Sequence, residues 1–343
     1  MALNGVLLVA LSMWILKPGA TAVTAALAAP SPTAAAREPL VLPTLASLPT
    51  RASVLSLSGI RFGVTAPQVP WLPAEIAQIA GKAGAHPTML QFFVKWTESF
   101  RPEALVMCYA QGALPVLSWE PWAGARKGTD QPQYALRNII NGTFDPYVTR
   151  FATAVRDQPL PVAIRLAHEM NGIWYPWSEG RSGNRPGEYA QAWRHVHDIF
   201  RQVGANNVIW IWSPNILRPV PGIGLRQLYP GDEYVDWVGM VGYAADERTA
   251  AEVYEPTMQS VHTFTTKPIV ITETGAPSGA YKDKWIADFL HWLPTHPDLV
   301  GFIWSEYTQN NGGNADWRLT ETPTTVAAFR QGLSSLSLAP APT

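Results

Sequence analysis

Eight short runs of β-branched and aromatic residues recur along the chain, separated by stretches long enough to hold a helix. No other feature constrains the fold as strongly. The runs are Arg61–Thr65, Met89–Val94, Leu114–Trp119, Val162–His168, Val208–Trp212, Trp237–Tyr243, Pro268–Thr272 and Gly301–Ser305. They are mostly apolar rather than alternating, as strands covered on both faces tend to be. Helical periodicity marks Pro73–Gly84, Pro102–Gln111, Asp145–Asp157, Pro186–Val203, Glu247–Thr265 and Tyr281–Leu293. Proline opens several of these segments, in the first turn, where a missing N–H costs nothing. Eight strands with intervening helices predict an α/β fold, a (β/α)8 TIM barrel. The competing doubly wound sheet usually carries a glycine-rich phosphate loop, and neither G-x-G-x-x-G nor G-x-x-x-x-G-K-[ST] occurs here.

The flanks differ in composition. Gly5–Leu16 is apolar and is followed by Ala20-Thr21-Ala22 and Ala26-Leu27-Ala28, so residues 1–28 read as a signal peptide or N-terminal anchor. No basic residue precedes the apolar stretch, and Lys17 follows it. Residues 29–55, rich in Pro, Ala and Ser, read as an extended linker, 56–335 as the catalytic barrel, and 336–343 as a disordered tail. The single cysteine, Cys108, excludes an internal disulfide and lies in an apolar helical stretch, where a buried inert thiol is expected. Together these predict a bacterial protein, secreted or associated with the cell envelope, with no stable membrane insertion after processing. The balance of 25 Lys+Arg against 26 Asp+Glu gives no electrostatic reason for a nucleic-acid partner. It suits a neutral ligand, and a monomer is expected. Fifteen tryptophans exceed what packing alone asks for and fit sugar binding, because indole covers the apolar face of a pyranose.

In such a barrel the chemistry sits where the strands end. The ends here carry Glu120, His168-Glu169-Met170-Asn171, Ser213-Pro214-Asn215, Tyr243, Glu273 and Trp304-Ser305-Glu306. Carboxylates, amides and aromatics dominate. No H-E-x-x-H or G-x-S-x-G is present, and neither a metal nor an organic cofactor is expected. Two carboxylates on nearly opposite strands suit glycosidic bond cleavage, one as proton donor and one facing the anomeric carbon.

Arg165-Leu166-Ala167-His168-Glu169-Met170-Asn171-Gly172-Ile173-Trp174 resembles the acid/base motif of glycoside hydrolase family 26, a family of β-mannanases and related β-glucanases and β-1,3-xylanases. Ile271-Thr272-Glu273-Thr274-Gly275 is similar to its nucleophile strand, and the likeness extends from about Phe62 to Trp317, through Ala192-Trp193-Arg194 and Trp210–Asn215. The resemblance implies a retaining endo-β-glycanase acting on a polysaccharide or oligosaccharide, with β-1,4-mannan the leading substrate. Carried over, Glu169 is the acid/base and Glu273 the nucleophile. The expected substrate-binding residues are His168, which lies beside the acid and holds the sugar or orients the carboxylate, Asn171, Glu120, Tyr243, which donates a hydrogen bond to Glu273, Trp304, the platform at the cleavage point, and Trp174 or Trp177, which shapes the adjoining subsite.

Other roles are open to each residue. Glu273 could pair with a core arginine, and His168 could be a satisfied core histidine. Trp304 and Tyr243 standing alone would read as core. Glu120 and Glu306 could bind sugar hydroxyls or rival the pair. Asp232 and Asp236 fall at the stability face, and Glu179–Gly187 reads as a loop over the cleft or an idle solvated one. The rival functions are a related β-glucanase, β-1,3-xylanase, exopolysaccharide hydrolase or transglycosylase, and a non-catalytic polysaccharide-binding barrel.

Overall fold

A computed structural model describes residues 48–56, 58–217 and 224–342. The expected signal or anchor segment and all but the end of the expected linker lie outside them. Eight parallel strands close into a barrel in sequence order, each pairing with the next and β8 with β1. They are β1 (Arg61–Thr65), β2 (Met89–Lys95), β3 (Leu114–Glu120), β4 (Val162–Leu166), β5 (Val208–Trp212), β6 (Trp237–Val241), β7 (Ile269–Thr274) and β8 (Leu299–Ser305). The helices are α1 (Arg51–Ser56), α2 (Pro73–Ala83), α3 (Pro102–Tyr109), α4 (Leu136–Ile140), α5 (Asp145–Arg156), α6 (Glu188–Val203), α7 (Leu225–Leu228), α8 (Ala250–His262), α9 (Lys282–Trp292) and α10 (Pro323–Ser334). All eight predicted strands are present. The fourth stops two residues before His168, and the fourth predicted helix starts at Glu188, because Gly187 in a left-handed conformation turns the chain just before it.

Alternation along each strand divides the side chains between two layers. Phe62 and Trp304 face outward onto Phe329 of α10, and Trp119 stacks on Phe151 of α5. Trp210 meets Trp193 of α6. Much of the tryptophan content therefore fills the strand–helix layer. The inner positions are partly glycine, for a steric reason. A Cβ on Gly63 would lie 2.8 Å from the Met89 Cβ, and one on Gly239 would lie 2.6 Å from Ser213.

Both predicted barrel boundaries move outward. The end of the expected linker forms α1 beneath the barrel, with Val54 buried. Arg51 donates to the Val208 carbonyl and pairs with Asp236, whose other oxygen accepts the Trp210 N–H. Asp236 is structural, as is Asp232, which binds Tyr229 and Thr265. Arg61, pushed down to about 10 by burial, donates to the carbonyls of Val54 and Val300. The tail is not disordered over its described length. Ile60 bonds Ser337 and Ala339 through its backbone, an approach open because Gly59 (φ 93°) has no Cβ to strike them. Composition suggested a loose segment, but backbone pairing and the buried Val54 hold these ends.

Candidate functional site

Strand β4 sets up the site through a buried cation. Arg165 is fully buried and reaches across the barrel to Glu273 at 2.6 Å. Its Nε donates to Ser213 Oγ at 2.9 Å and its Nη1 also to Ser118 Oγ at 3.1 Å. Ser213 lies 2.8 Å from Thr272 Oγ1, which donates to the Met240 carbonyl. A relay of hydroxyls thus fixes the guanidinium across four strands. An arginine in an all-apolar strand must find an anion, because an unpaired buried charge costs several kcal/mol. The alternative of a core arginine partner for Glu273 is therefore realised. It does not exhaust Glu273, whose second oxygen accepts the Tyr243 hydroxyl at 2.9 Å and whose side chain stays 15% exposed. A register shift between β6 and β7 next to Val241, the partner of Glu273, lets both Thr272 and Glu273 turn toward the polar centre.

Beyond Leu166 the backbone is strained. Ala167 and Glu169 both hold positive φ, 44° and 54°, which costs a residue with a Cβ on the order of 1 kcal/mol each. The Glu169 N–H bonds the Ser213 carbonyl at 2.7 Å, and its own carbonyl accepts from Gly172. This twist brings Glu169 into the same group as Glu273. One carboxyl oxygen accepts from Asn215 Nδ2 and the other from the Trp174 indole at 2.7 Å. Burial raises the pKa of Glu169 first, and the charge of Glu273 raises it further; Arg165, Trp174 and Asn215 act in the opposite direction.

The other predicted site residues divide. Asn171 does not face the cleft with free groups: its Nδ2 donates to the Asn215 carbonyl and its Oδ1 accepts the Asn215 N–H, both at 2.8 Å. It positions Asn215, which positions Glu169. His168 is buried, with Nε2 3.1 Å from the Tyr175 hydroxyl and 4.0 Å from Glu120, and burial holds its pKa well below the ordinary range. Burial thus disfavours the charged imidazolium. Trp177 is fully buried, stacked on Tyr175 at 4.2 Å, and donates to the His168 carbonyl, so it supports the site without lining it. Glu120 accepts the Trp122 indole at 3.0 Å and is pushed up to about 7 by burial.

Trp304 is a correction. It is fully buried on the outer face of β8 against Trp285 and Phe329, and donates to the Trp317 carbonyl. Strand parity excludes it from the cleft, since its neighbours Ile303 and Ser305 take the inner face. The aromatic ring against Tyr243 is Trp317, at 4.6 Å between centroids. Glu306 is no rival to the pair: it accepts from the Leu319 N–H and the Thr320 hydroxyl and anchors the following loop. Glu179 is neither over the cleft nor idle. It is buried and accepts the N–H groups of Gly187 and Tyr189 at the start of α6. Sequence reasoning gave no role to Arg165, Asn215, Tyr175 or Trp317. Arg165 alone carried a signal, as a lone charge inside a run that reads as buried.

The model of glycosyl hydrolase family 26 matches residues 122–311. Endoglucanase H of Acetivibrio thermocellus is 29% identical over 303 residues, 82% of this chain and 31% of that protein. A mannan endo-1,4-beta-mannosidase of Bacillus subtilis is 28% identical over 161 residues, 45% of this chain and 42% of the relative. The chain thus spans less than half the length of these curated relatives. The solved structure of a GH26 beta-mannanase from Bacteroides ovatus superposes with a TM-score of 0.61 at 21% identity, over 83% of this chain and 90% of that one, and shares the fold.

Proposed function

Because the chain belongs to glycosyl hydrolase family 26, we propose that it is an endo-acting β-glycanase that retains anomeric configuration, with Glu169 as acid/base and Glu273 as nucleophile. One observation carries the reading: two carboxyls stand at the ends of β4 and β7 in contrasting surroundings, Glu169 held by Asn215 and Trp174 and Glu273 by Arg165 and Tyr243. Glu169 is buried and raised, as a proton donor at neutral pH must be. Glu273 has a donor on each oxygen, from Arg165 and Tyr243, which aims it and accepts the charge it regains when the sugar leaves. In the first step Glu169 gives its proton to the glycosidic oxygen as that bond to the anomeric carbon breaks. A Glu273 oxygen forms the new bond. In the second step Glu169 takes a proton from water, whose oxygen displaces Glu273 from the same carbon.

A β-1,4-mannan is the first reading of the substrate, supported by the mannanase relatives. A β-glucan is the second, favoured because the likeness to an endoglucanase runs over 82% of this chain. Assays on β-1,4-mannan, mixed-linkage β-glucan and β-1,3-xylan decide between them. Wild type should cut one and release mixed oligosaccharides, while Glu169→Ala and Glu273→Ala lose nearly all activity on it. Binding without turnover on every polymer would support the non-catalytic barrel instead.

A further inference from the structure

Two N–H donors hold the Glu169 carboxyl, and they differ in how firmly they are fixed. Asn215, on one oxygen, is clamped through its backbone N–H and C=O to the Asn171 side chain. Trp174, on the other at 2.7 Å, is half-buried on the loop after β4, next to Ile173, which is 50% exposed. Among the described residues no aromatic ring stacks on Trp174, whereas Trp177 is stacked on Tyr175. The indole lies instead over bare backbone: a Cβ on Gly172 would fall 2.4 Å from its Cζ2 and 2.6 Å from its Cε2. The seat therefore depends on glycine, and the indole N–H is fixed there by its hydrogen bond to the carboxyl.

We propose that Trp174 is a substrate-displaced latch on Glu169: in the empty cleft its N–H occupies Oε2, and the sugar on the leaving-group side turns the indole off that oxygen, freeing it to carry the proton to the glycosidic oxygen. This rests on the reading of Glu169 as acid/base. The locked Asn215 keeps Oε1 an acceptor throughout, so Oε2 is the oxygen that can be released. An N–H aimed at a carboxyl favours its ionised form, so removing Trp174 strengthens the hold of Glu169 on its proton. The charged and titratable groups facing Glu169 are Arg165 on β4, Glu273 on β7, Tyr243 after β6 and Tyr175 on its own loop. Of these, Glu273 raises the pKa of Glu169 and Arg165 lowers it, and neither is bonded to the indole.

The test is the pH dependence of kcat/KM and of kcat on the polysaccharide that the protein hydrolyses. The alkaline limb of kcat/KM reports the acid in the free enzyme, and that of kcat reports it in the complex. In wild type the kcat/KM limb should lie below the kcat limb. Trp174→Phe should move the kcat/KM limb up by about one pH unit, to meet it, because the carboxyl loses a charge-assisted bond. Gly172→Ala, which evicts the indole without deleting it, should produce the same movement. Coincident limbs in wild type, or an unmoved kcat/KM limb in both variants, would overturn the latch. Failure of the underlying reading looks different: Glu169→Ala would then lose as much kcat/KM on a dinitrophenyl glycoside, whose departure needs no proton in the first step, as on the polymer.

Discussion

Tyr243→Phe isolates one hydrogen bond at the nucleophile. It deletes the O–H donated to Glu273 at 2.9 Å and keeps the ring against Trp317, while Arg165 continues to hold the other oxygen. A hydrogen bond to a charged group is worth about 1.5–3 kcal/mol, and because Glu273 is 15% exposed, water recovers part of it. We take about 1–2 kcal/mol, or about 5- to 30-fold in rate. The direction depends on the step. When Glu273 attacks, its charge falls and the donor matters less; when the glycosyl-enzyme breaks down, the charge returns and the donor stabilises it. Deglycosylation should therefore slow more than glycosylation. On an activated aryl glycoside, kcat and KM should fall together by about 5- to 30-fold, kcat/KM should change little, and a burst of phenol should appear. An unchanged kcat with a raised KM would refute this, since it would make Tyr243 a ground-state sugar contact. An unchanged profile would refute it equally.

Asn171→Ala removes two bonds to the Asn215 backbone and should lower kcat/KM by about 30-fold, at about 1 kcal/mol per bond, with KM nearly unchanged, measured by steady-state kinetics. Trp304→Ala should cost about 3–5 kcal/mol of stability in urea unfolding and leave the KM of the folded protein in place, because the ring is core and not platform. Glu306 is pushed up to about 7 by burial, so the folded chain holds a proton there that the unfolded chain releases near 4.5. Stability from this group is present below about pH 4.5 and is lost as pH rises toward 7. Glu306→Gln can still accept from Leu319 and can donate to Thr320. It should shrink the loss of stability between pH 5 and pH 8 by up to about 3 kcal/mol.

Strand number and order were legible because buried parallel strands must be apolar on both faces, and few residue types satisfy that. The two glutamates stood out because a carboxylate at the end of such a strand needs a partner or a task, although Glu306 shows that holding a loop is one such task. Parity was harder. Trp304 and Glu273 are both strand-end residues, yet one points into helices and the other into the cleft. The register shifts around β7 that decide this leave no mark in composition. The roles of Asn171 and Asn215 depend on a contact between residues 44 apart in the chain, which no local pattern reports. The seating of Ile60 between Ser337 and Ala339, far apart in the chain, was hidden in the same way.

The central claim is the division of labour between Glu169 and Glu273, and azide rescue tests it most directly. With an activated aryl glycoside, azide added to Glu273→Ala should restore turnover and give a glycosyl azide of inverted configuration, because the small anion attacks from the vacated nucleophile side. Azide added to Glu169→Ala should give the retained configuration, by intercepting the glycosyl-enzyme. Exchange of these two products, or an inverted sugar from the wild-type protein, would contradict the account.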